Sequence, residues 1–313
     1  MTHEKITFFT EGGTSRGMGH LIRCYALYEE LKRLHYNVSF YLDSDIDFTY
    51  KFNDIKYFKW KDFSLDDTYD IVFIDSYLAP LNIYHIIMKN SKLTVYIDDY
   101  GRLEYPSGLI VNFAPDAEKL FFQKKSKKNT YLLGLKYIPI RKEFINAKSN
   151  KKEKQLFIIL GGTDKANLSM DICDALKEID IKKVIVTAEK ELATKLSKFS
   201  NTTILYKPDD VILAQNMSQS SIAISTASMS LYELSFLEIP TLLFATSKNQ
   251  EIGIQQLINN SMAVASINHK EDLWKKELQT KINIILKTNP KASPKIDGQG
   301  IQRIVKTSIR LLS

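Results

Sequence analysis

Short apolar runs alternate with helix-like stretches along the first half of the chain. The β-branched and aromatic run at residues 6–10 stops at a Gly-Gly pair, and apolar residues recur at helical spacing over 20–34 and 81–90. Further near-continuous apolar runs, several of which end in acidic residues, lie at 37–43, 69–76, 93–100 and 108–115. Runs of this kind are typical of buried parallel strands, so the pattern predicts a parallel sheet with helices on both faces.

The second half repeats this alternation after a polar, lysine-rich segment at residues 146–155, which we interpret as a linker. Its strand-like runs lie at 155–162, 182–188, 202–207, 221–228 and 240–246, and its helix-like stretches at 166–178, 191–200, 211–219 and 231–238. An amphipathic stretch ends the chain, and we expect it to pack back on the first domain.

Together these patterns predict an α/β protein with two Rossmann-like domains, residues 1–145 and 146–313. Two such domains facing each other across a cleft form the GT-B-like arrangement, in which ligands lie at the carboxyl ends of the strands. We expect the first domain to carry a glycine-rich loop and the catalytic residue, and the second to bind a nucleotide. The fold by itself does not define the chemistry.

The composition narrows the class of protein. Hydrophobic residues make up 44% of the chain and charged residues 25%, as in soluble globular proteins. The net charge is +7, but the lysines gather in the apparent linkers without regularly interleaved aromatic residues. This favours solvated lysines over a nucleic-acid surface. We therefore predict no nucleic-acid partner. We also expect the protein to be a monomer.

Two cysteines and the absence of long apolar runs bear on the compartment. Cys24 and Cys173 are far apart, each within an apolar helical pattern, and no CxxC pair exists. We interpret them as core residues of a protein in a reducing compartment, without structural zinc. No signal peptide is visible and no run reaches the length of a membrane span, so we expect a cytoplasmic protein without membrane insertion.

The first candidate site is the glycine-rich segment 11–24, between a predicted strand and a predicted helix. Gly17 and Gly19 would let a ligand approach the backbone, and the helix N-terminus would face an anion such as a diphosphate. A neutral imidazole accepts protons near pH 7, so His20 is a candidate base; the alternative is a helix-terminal residue bonded to a carbonyl. Arg23 could face a phosphate or form a surface ion pair.

A second candidate site follows the strand-like run at 155–162. Gly161, Gly162 and Thr163 could hold a phosphate through their backbone amides. Asp164 is better explained as the cap of the next helix, because a carboxylate there accepts from free helix amides.

The third candidate segment precedes and enters the helix-like stretch 231–238. Small hydroxyl residues suit the approach of a diphosphate to the helix N-terminus: Ser225, Thr226 and Ser228. Glu233 lies among apolar helix residues, which favours a ribose ligand over a surface charge or a capping-box partner. Asn249 and Gln250 follow a predicted strand and offer donors and acceptors to sugar hydroxyls, although isolated amides are often ordinary loop residues.

Two acidic clusters also follow strands. The sequence DSD at 43–45 has the form of a metal motif, but no further ligand cluster accompanies it, and we predict no metal and no cofactor. Asp99, the second member of an Asp-Asp pair, could bind a sugar hydroxyl, position His20 or cap a helix.

In their order and spacing these segments resemble the UDP-2,4-diacetamido-2,4,6-trideoxy-β-L-altropyranose hydrolases of pseudaminic acid biosynthesis. The resemblance covers nearly the whole chain. It is carried by residues 17–24, 74–77, 97–102, 108–112, 134–144, 161–169, 224–234, 239–244, 248–250 and 296–305.

The resemblance implies a metal-independent enzyme in which water attacks C1 of a UDP-sugar and UDP leaves. His20 would activate the water, and segments 161–164 and 225–233 would hold the nucleotide. Asn249 would contact the substrate near the reaction, and Arg141, in the segment that joins the domains, would face the site.

The chain departs from the family pattern at Phe9 and Glu11 in the first loop and at residues 104–108. These loops line the sugar side in the family, so the acceptor stays open. The first alternative is a glycosyltransferase of the same architecture, in which His20 deprotonates an acceptor hydroxyl. The second is a protein that binds a nucleotide sugar without turnover.

Overall fold

The computed structural model describes residues 4–48, 52, 54–65, 67–148, 152–161, 164, 168–245, 248–292 and 294–312, with the side chains of 248–252 left out. Contacts divide the chain into two compact units, Met1–Ile140 with Asp297–Ser313, and Arg141–Ile296. The units therefore part at Ile140 and again at Ile296. The functional division at residue 145 stays a prediction.

The first unit contains a parallel sheet with the strand order β3-β2-β1-β4-β5-β6-β7. Aromatic side chains fill its centre, where the ring of Phe8 stacks on that of Phe73 at a centroid distance of 4.5 Å. The strands are β1 (Lys5–Gly12), β2 (Asn37–Ser44), β3 (Ile55–Tyr57), β4 (Tyr69–Asp75), β5 (Ser91–Ile97), β6 (Gly108–Asn112) and β7 (Asn129–Leu133).

Three helices of this unit lie between its strands, namely α1 (Gly19–Arg33), α2 (Leu81–Lys89) and α3 (Ala117–Phe121). The helical spacing seen in the sequence explains α1, because Leu21, Leu27 and Leu31 are buried on its inner face against β1 and β2. Short 3-10 turns occur at Trp60–Asp62 and Leu135–Tyr137.

The second unit contains another parallel sheet, with the strand order β10-β9-β8-β11-β12-β13. Its strands are β8 (Glu153–Ile159), β9 (Lys182–Thr187), β10 (Thr202–Tyr206), β11 (Ser220–Ser225), β12 (Thr241–Ala245) and β13 (Ala265–Asn268). Its helices are α4 (Lys142–Ala147), α5 (Leu168–Ala175), α6 (Lys190–Leu196), α7 (Asp210–Gln219), α8 (Met229–Phe236), α9 (Lys248–Asn259) and α10 (Trp274–Thr288).

The last helix, α11 (Gly300–Leu312), belongs to the first unit although it follows the second in sequence. It contacts α1, β5 and the Leu135–Tyr137 turn, and it buries Ile301, Ile304 and Val305. Among the helices that the structure describes, none has both the length and the apolar character needed to cross a membrane.

Each sheet has one point where the strand order reverses. In the first unit β2 and β3 extend to one side of β1 and β4 to β7 to the other, so the loops after β1 and β4 diverge. In the second unit the same point lies between β8 and β11. Ligands of open α/β sheets bind outside the carboxyl ends of the strands at such points, so both candidate sites lie where the topology favours binding.

Candidate functional site

The glycine-rich segment forms a tight turn between β1 and α1. The amide of Gly13 donates to the carbonyl of Gly17 at 3.0 Å, and the reverse bond is 2.8 Å long. Gly17 has a φ of +78°, which favours glycine, and a Cβ there would have no heavy atom of the described residues within 4 Å. The turn starts α1 at Gly19 and places His20, which is 5% exposed, in its first turn.

The imidazole of His20 is held by a buried carboxylate. Its Nδ1 lies 2.6 Å from Oδ1 of Asp75, the last residue of β4. Burial would raise the pKa of Asp75, but Arg23 and His20, through charge and hydrogen bonds, hold that pKa well below its usual range. Asp75 is therefore an ionised acceptor, and on that ground we assign the ring proton to Nδ1. Nη2 of Arg23 lies 3.0 Å from the same nitrogen and donates to Asp75 Oδ1 at 2.7 Å. In the neutral ring Nε2 then carries the lone pair.

Arg23 joins Asp75 to a second carboxylate. It donates through Nε and Nη2 to Asp75, at 2.5 and 2.7 Å, and through Nη1 and Nη2 to Asp99, at 2.7 and 3.0 Å. Arg23 is 4% exposed, so the predicted ion pair exists but is buried rather than at the surface. A phosphate contact of Arg23 stays a prediction.

The two members of the Asp-Asp pair have different tasks. Asp98 accepts from the amides of Gly101 and Arg102 and from the hydroxyl of Tyr105, so it shapes the loop after β5. Asp99 holds Arg23 instead, one contact away from His20. A sugar contact of Asp99 stays a prediction.

Tyr77 covers one side of His20. The two rings meet edge to face at a centroid distance of 4.4 Å, and the Tyr77 hydroxyl donates to Asp99. Glu11, at the end of β1, in turn accepts from the Tyr77 amide at 3.0 Å, from Trp60 Nε1 at 3.0 Å and from the Ser76 hydroxyl. Glu11 therefore organises the loop beside His20.

The DSD carboxylates take part in loop contacts. Asp43 accepts from the Trp60 amide at 3.0 Å and pairs with Arg16 at 2.9 Å. Asp45 accepts from the amides of Thr14 and Ser15 in the turn after β1. These contacts give both carboxylates a role in shaping the first unit.

In the second unit, the turns after β8 and β11 are neighbours. Gly161 has a φ of +95°, and a Cβ there would lie 4.0 Å from Oγ1 of Thr226. Gly162 and Thr163 lie outside the described residues. Asp164 accepts from the amides of Leu168 and Ser169 at 2.9 and 2.8 Å, which confirms its predicted role as a helix cap.

The start of α8 places hydroxyl groups at a helix N-terminus that has no side-chain cap among the described residues. Ser225 and Thr226 are buried, and Ser225 donates to the Thr226 carbonyl at 3.3 Å. Ser228 immediately precedes the helix, and its Oγ is buried without a hydrogen bond in the part of the chain that the structure describes. A buried hydroxyl of this kind is available to a ligand at the helix N-terminus.

Glu233 is buried rather than at the surface, so the alternative of a surface charge is wrong. Its two carboxylate oxygens accept from Arg141 Nε and Nη2 at 2.7 and 2.9 Å, and Arg141 also lies 2.9 Å from Asp210. A carboxylate has further lone pairs beyond these two bonds. The ribose role of Glu233, and the substrate role of Arg141, therefore stay predictions.

Asn249 and Gln250 lie in the first turn of α9, and their side chains are outside the described residues. Sequence reasoning missed Asp75 as the partner of His20. The available signal was the acidic end of the strand-like run at 69–76, which a sheet that places β4 beside β1 brings next to the glycine-rich turn.

Two Rossmann-like parallel sheets define a GT-B-like fold, as the sequence predicted. Among solved structures, the chain is similar to Methanocaldococcus jannaschii UDP-GlcNAc 2-epimerase in complex with UDP-GlcNAc and UDP, with a TM-score of 0.66, 11% identity and coverage of 98% of this chain and 99% of that one. It is also similar to Acinetobacter baumannii MurG, with a TM-score of 0.61, 13% identity and coverage of 98% of this chain and 99% of that one. For the calicheamicin glycosyltransferase CalG4 the TM-score is 0.59 and the identity 11%, with coverage of 100% of this chain and 96% of that one. At such identities the likeness shows the fold alone.

Curated relatives carry the comparison further. The chain is 26% identical over 242 residues to the Helicobacter pylori pseudaminic acid cytidylyltransferase and UDP-2,4-diacetamido-2,4,6-trideoxy-β-L-altropyranose hydrolase, covering 75% of this chain and 43% of that protein. It is 33% identical over 122 residues to the Campylobacter jejuni UDP-2,4-diacetamido-2,4,6-trideoxy-β-L-altropyranose hydrolase, covering 38% of this chain and 44% of that protein. An uncharacterized protein of Methanocaldococcus jannaschii is 26% identical over 275 residues, which cover 79% of this chain and 56% of that protein.

No family model matches the chain. The chain spans about half the length of the curated relatives that it matches. The similarity to this class of hydrolase, predicted from the sequence motifs, is confirmed.

Proposed function

We propose that the chain hydrolyses a UDP-linked diacetamido-trideoxy sugar at C1 and releases UDP and the free sugar, a step of pseudaminic acid biosynthesis. The observation that carries this proposal is the buried His20–Asp75 pair at the point where the first sheet reverses its strand order. The names of the two hydrolase relatives support the choice of substrate.

In the proposed reaction, Nε2 of His20 takes a proton from water while the water oxygen forms a bond to C1. The bond between C1 and the diphosphate oxygen breaks, and UDP leaves with the electron pair. The imidazolium that forms donates through Nδ1 to ionised Asp75, which stabilises it. Every protonation step thus uses groups of this chain and the substrate, and no step requires a metal.

The second unit is proposed to hold UDP at the carboxyl ends of β8 and β11. The amides around Gly161, Gly162 and Thr163 and the hydroxyls of Ser225, Thr226 and Ser228 would receive the diphosphate. The N-terminus of α8 would stabilise the charge that develops on the leaving group. Glu233 and Gln250 would bind ribose and sugar hydroxyls, and Asn249 would contact the reacting sugar.

The first prediction tests the base. Incubation of the protein with UDP-2,4-diacetamido-2,4,6-trideoxy-β-L-altropyranose should release UDP and free sugar without an acceptor, as followed by mass spectrometry. The variant His20→Ala should lose roughly 10²- to 10⁴-fold in kcat, the usual contribution of a general base, because the group that takes the water proton is removed. UDP binding, measured by calorimetry, should be unchanged.

The matched control is His85→Ala, which removes an exposed imidazole on α2 and should keep full activity. Full activity of His20→Ala would show that His20 is not the base. UDP binding without turnover of the wild-type protein would favour a nucleotide-sugar-binding role.

A glycosyltransferase of the same architecture is the second candidate, and one observation favours it. Tyr77, Leu78 and Tyr100, in the loops after β4 and β5, are 44%, 49% and 68% exposed. An apolar surface beside His20 suits an acceptor with an apolar part. This function predicts slow hydrolysis alone and fast consumption of the UDP-sugar once an acceptor is added.

A further inference from the structure

We infer that Asp75, Arg23 and Asp99 act as one charged unit that keeps His20 ready to accept a proton, and that Asp99 is a positioning residue rather than a sugar ligand. The inference rests on the proposed function, because it takes His20 to be the base. Asp99 acts on His20 through Arg23, to which it is joined by two hydrogen bonds.

Arg23 fixes the orientation of the Asp75 carboxylate. The guanidinium of Arg23 lies between two carboxylates at the ends of neighbouring strands β4 and β5, and it donates twice to each. The ring of Phe113 lies 5.2 Å from the guanidinium carbon. A planar group fixed at this many points holds the Asp75 carboxylate in one orientation, with Oδ1 toward His20 Nδ1.

The charge of Asp99 also affects the protonation of His20. With His20 neutral, two carboxylates and one guanidinium carry a net charge of about −1. When His20 accepts a proton, the four groups together become neutral. Without the Asp99 charge the same step would take the cluster from neutral to positive, which buried surroundings oppose. Asp99 therefore favours proton uptake at a ring to which it is joined through Arg23 and, on another side, through Tyr77, whose hydroxyl donates to Asp99 while its ring packs on His20.

The other titratable groups around His20 stay neutral. Burial and the nearby Asp99 raise the pKa of Tyr77 well above its usual range. Burial and Asp75 likewise raise the pKa of the Cys24 thiol, which lies 3.5 Å from Asp75 Oδ2. Among the described groups, the charges joined to His20 by hydrogen bonds are thus those of Asp75, of Arg23 and, through Arg23, of Asp99. Arg102 lies beyond Tyr77, 5.9 Å from its ring centroid, and Glu11 accepts from the Tyr77 amide, so both charges are common to the wild-type protein and the Asp99 variants.

The first experiment measures the ring directly, without substrate, by NMR of protein carrying ¹⁵N-labelled histidine. Signals of His20 are assigned by their loss in His20→Gln. In the wild-type protein we expect the Nδ1–H form. In Asp99→Asn the titration midpoint of the ring should move to lower pH, by roughly three- to tenfold in proton affinity.

Asp75→Asn should change the tautomer. Arg23 needs an acceptor, so the carbonyl of the introduced amide would turn toward it and the NH₂ group would face Nδ1, which favours the proton on Nε2. The matched control is Glu104→Gln, which removes an exposed charge in the same loop as Asp99 and should leave both midpoint and tautomer unchanged.

The second experiment compares pH profiles of hydrolysis. Asp99→Asn should lower kcat by about three- to tenfold, with less than a twofold change in KM, and should move the acid limb of kcat/KM to lower pH. Asp99→Glu, which keeps the charge, should return the acid limb of kcat/KM to its wild-type pH. A sugar ligand would behave differently, since its removal raises KM and leaves the limb in place.

The inference is overturned if Asp99→Asn leaves the ring midpoint unchanged, or if it raises KM with the acid limb in place. Should Asp75→Asn fail to fold, as shown by circular dichroism, the Asp99 variants still decide. The NMR result needs no turnover. A wild-type protein that shows the expected titration but no hydrolysis would therefore contradict the proposed function and leave the charge relation standing.

Discussion

Glu11 shows how one residue can link the end of a strand to the candidate site. It is 1% exposed, and its bonding partners in the described part of the chain are neutral donors: Trp60 Nε1, the Ser76 hydroxyl and the amides of Tyr77 and Leu78. A buried carboxylate tolerates this setting when several donors satisfy it. Glu11 therefore has a structural role in this chain.

At the scale of single residues we predict that Glu11→Ala destabilises the first unit by about 3 kcal/mol or more, because each buried donor left unpaired costs about 1–3 kcal/mol. Glu11→Gln keeps an acceptor and should lose less. Urea unfolding followed by Trp60 fluorescence in a Trp274→Phe background measures the effect. Glu118→Ala, an exposed acid on α3, should change little. Equal midpoints for Glu11→Ala and its parent would rule out this role.

The range of an interaction along the chain explains which site residues the sequence could predict. Asp164 caps α5 by accepting from the amides of Leu168 and Ser169, only four and five residues further along the chain, so local pattern suffices. Asp75 meets His20 only because β4 pairs with β1, which the apolar runs do not specify. Candidate residues were thus predictable from local sequence, whereas their partners required the strand order.

Among the strands and helices, those with many buried apolar residues could be predicted from the sequence. Strands with continuous apolar runs, such as β4 and β12, were predicted close to their observed bounds. β3 has only three residues, all partly or fully exposed, and β13 has four with one buried, so neither carries a clear apolar pattern. The unpredicted helix α10 buries Leu278, Ile282 and Ile285 at helical spacing but has no side-chain cap to mark its start.

Helix α7 offers a test of an element that the local sequence does specify. Asp209 precedes it in an extended conformation and accepts from the amide of Ile212 at 2.8 Å. Asp209→Ala should cost the second unit about 1 kcal/mol, because one helix amide loses its acceptor. Trp274 fluorescence during urea unfolding, in a Trp60→Phe background, reports on this unit. Exposed Glu178→Ala is the control, and an equal loss in both variants would refute the capping role.

At the scale of the whole molecule, the chain passes from the first unit to the second after Ile140 and returns after Ile296. Both units use the same plan, a parallel sheet whose reversal point carries a glycine-containing turn at the end of a central strand. The alternation of apolar runs was enough to predict this plan. The amphipathic pattern of α11 indicated a packed helix, whereas the close fit of its first residue against the backbone of Tyr137 and Ile138 is not visible in that pattern.

That first residue is Gly300, and it provides a test of how the last helix is attached. A Cβ at this position would lie 2.1 Å from the Ile138 carbonyl oxygen and 2.7 Å from the Tyr137 carbonyl carbon. Backbone atoms cannot turn aside as a side chain can, so Gly300→Ala must shift α11 and should destabilise the first unit by about 1–3 kcal/mol. The loss should appear in the Trp60 transition during urea unfolding and leave the Trp274 transition in place. Gly253→Ala in α9 is the matched control, because a Cβ there would meet none of the described atoms within 4 Å, and it should be neutral or stabilising by up to about 1 kcal/mol. A loss confined to the Trp274 transition would mean that α11 draws its stability from the second unit, since a helix seated on Ile138 must fail together with the sheet that carries it.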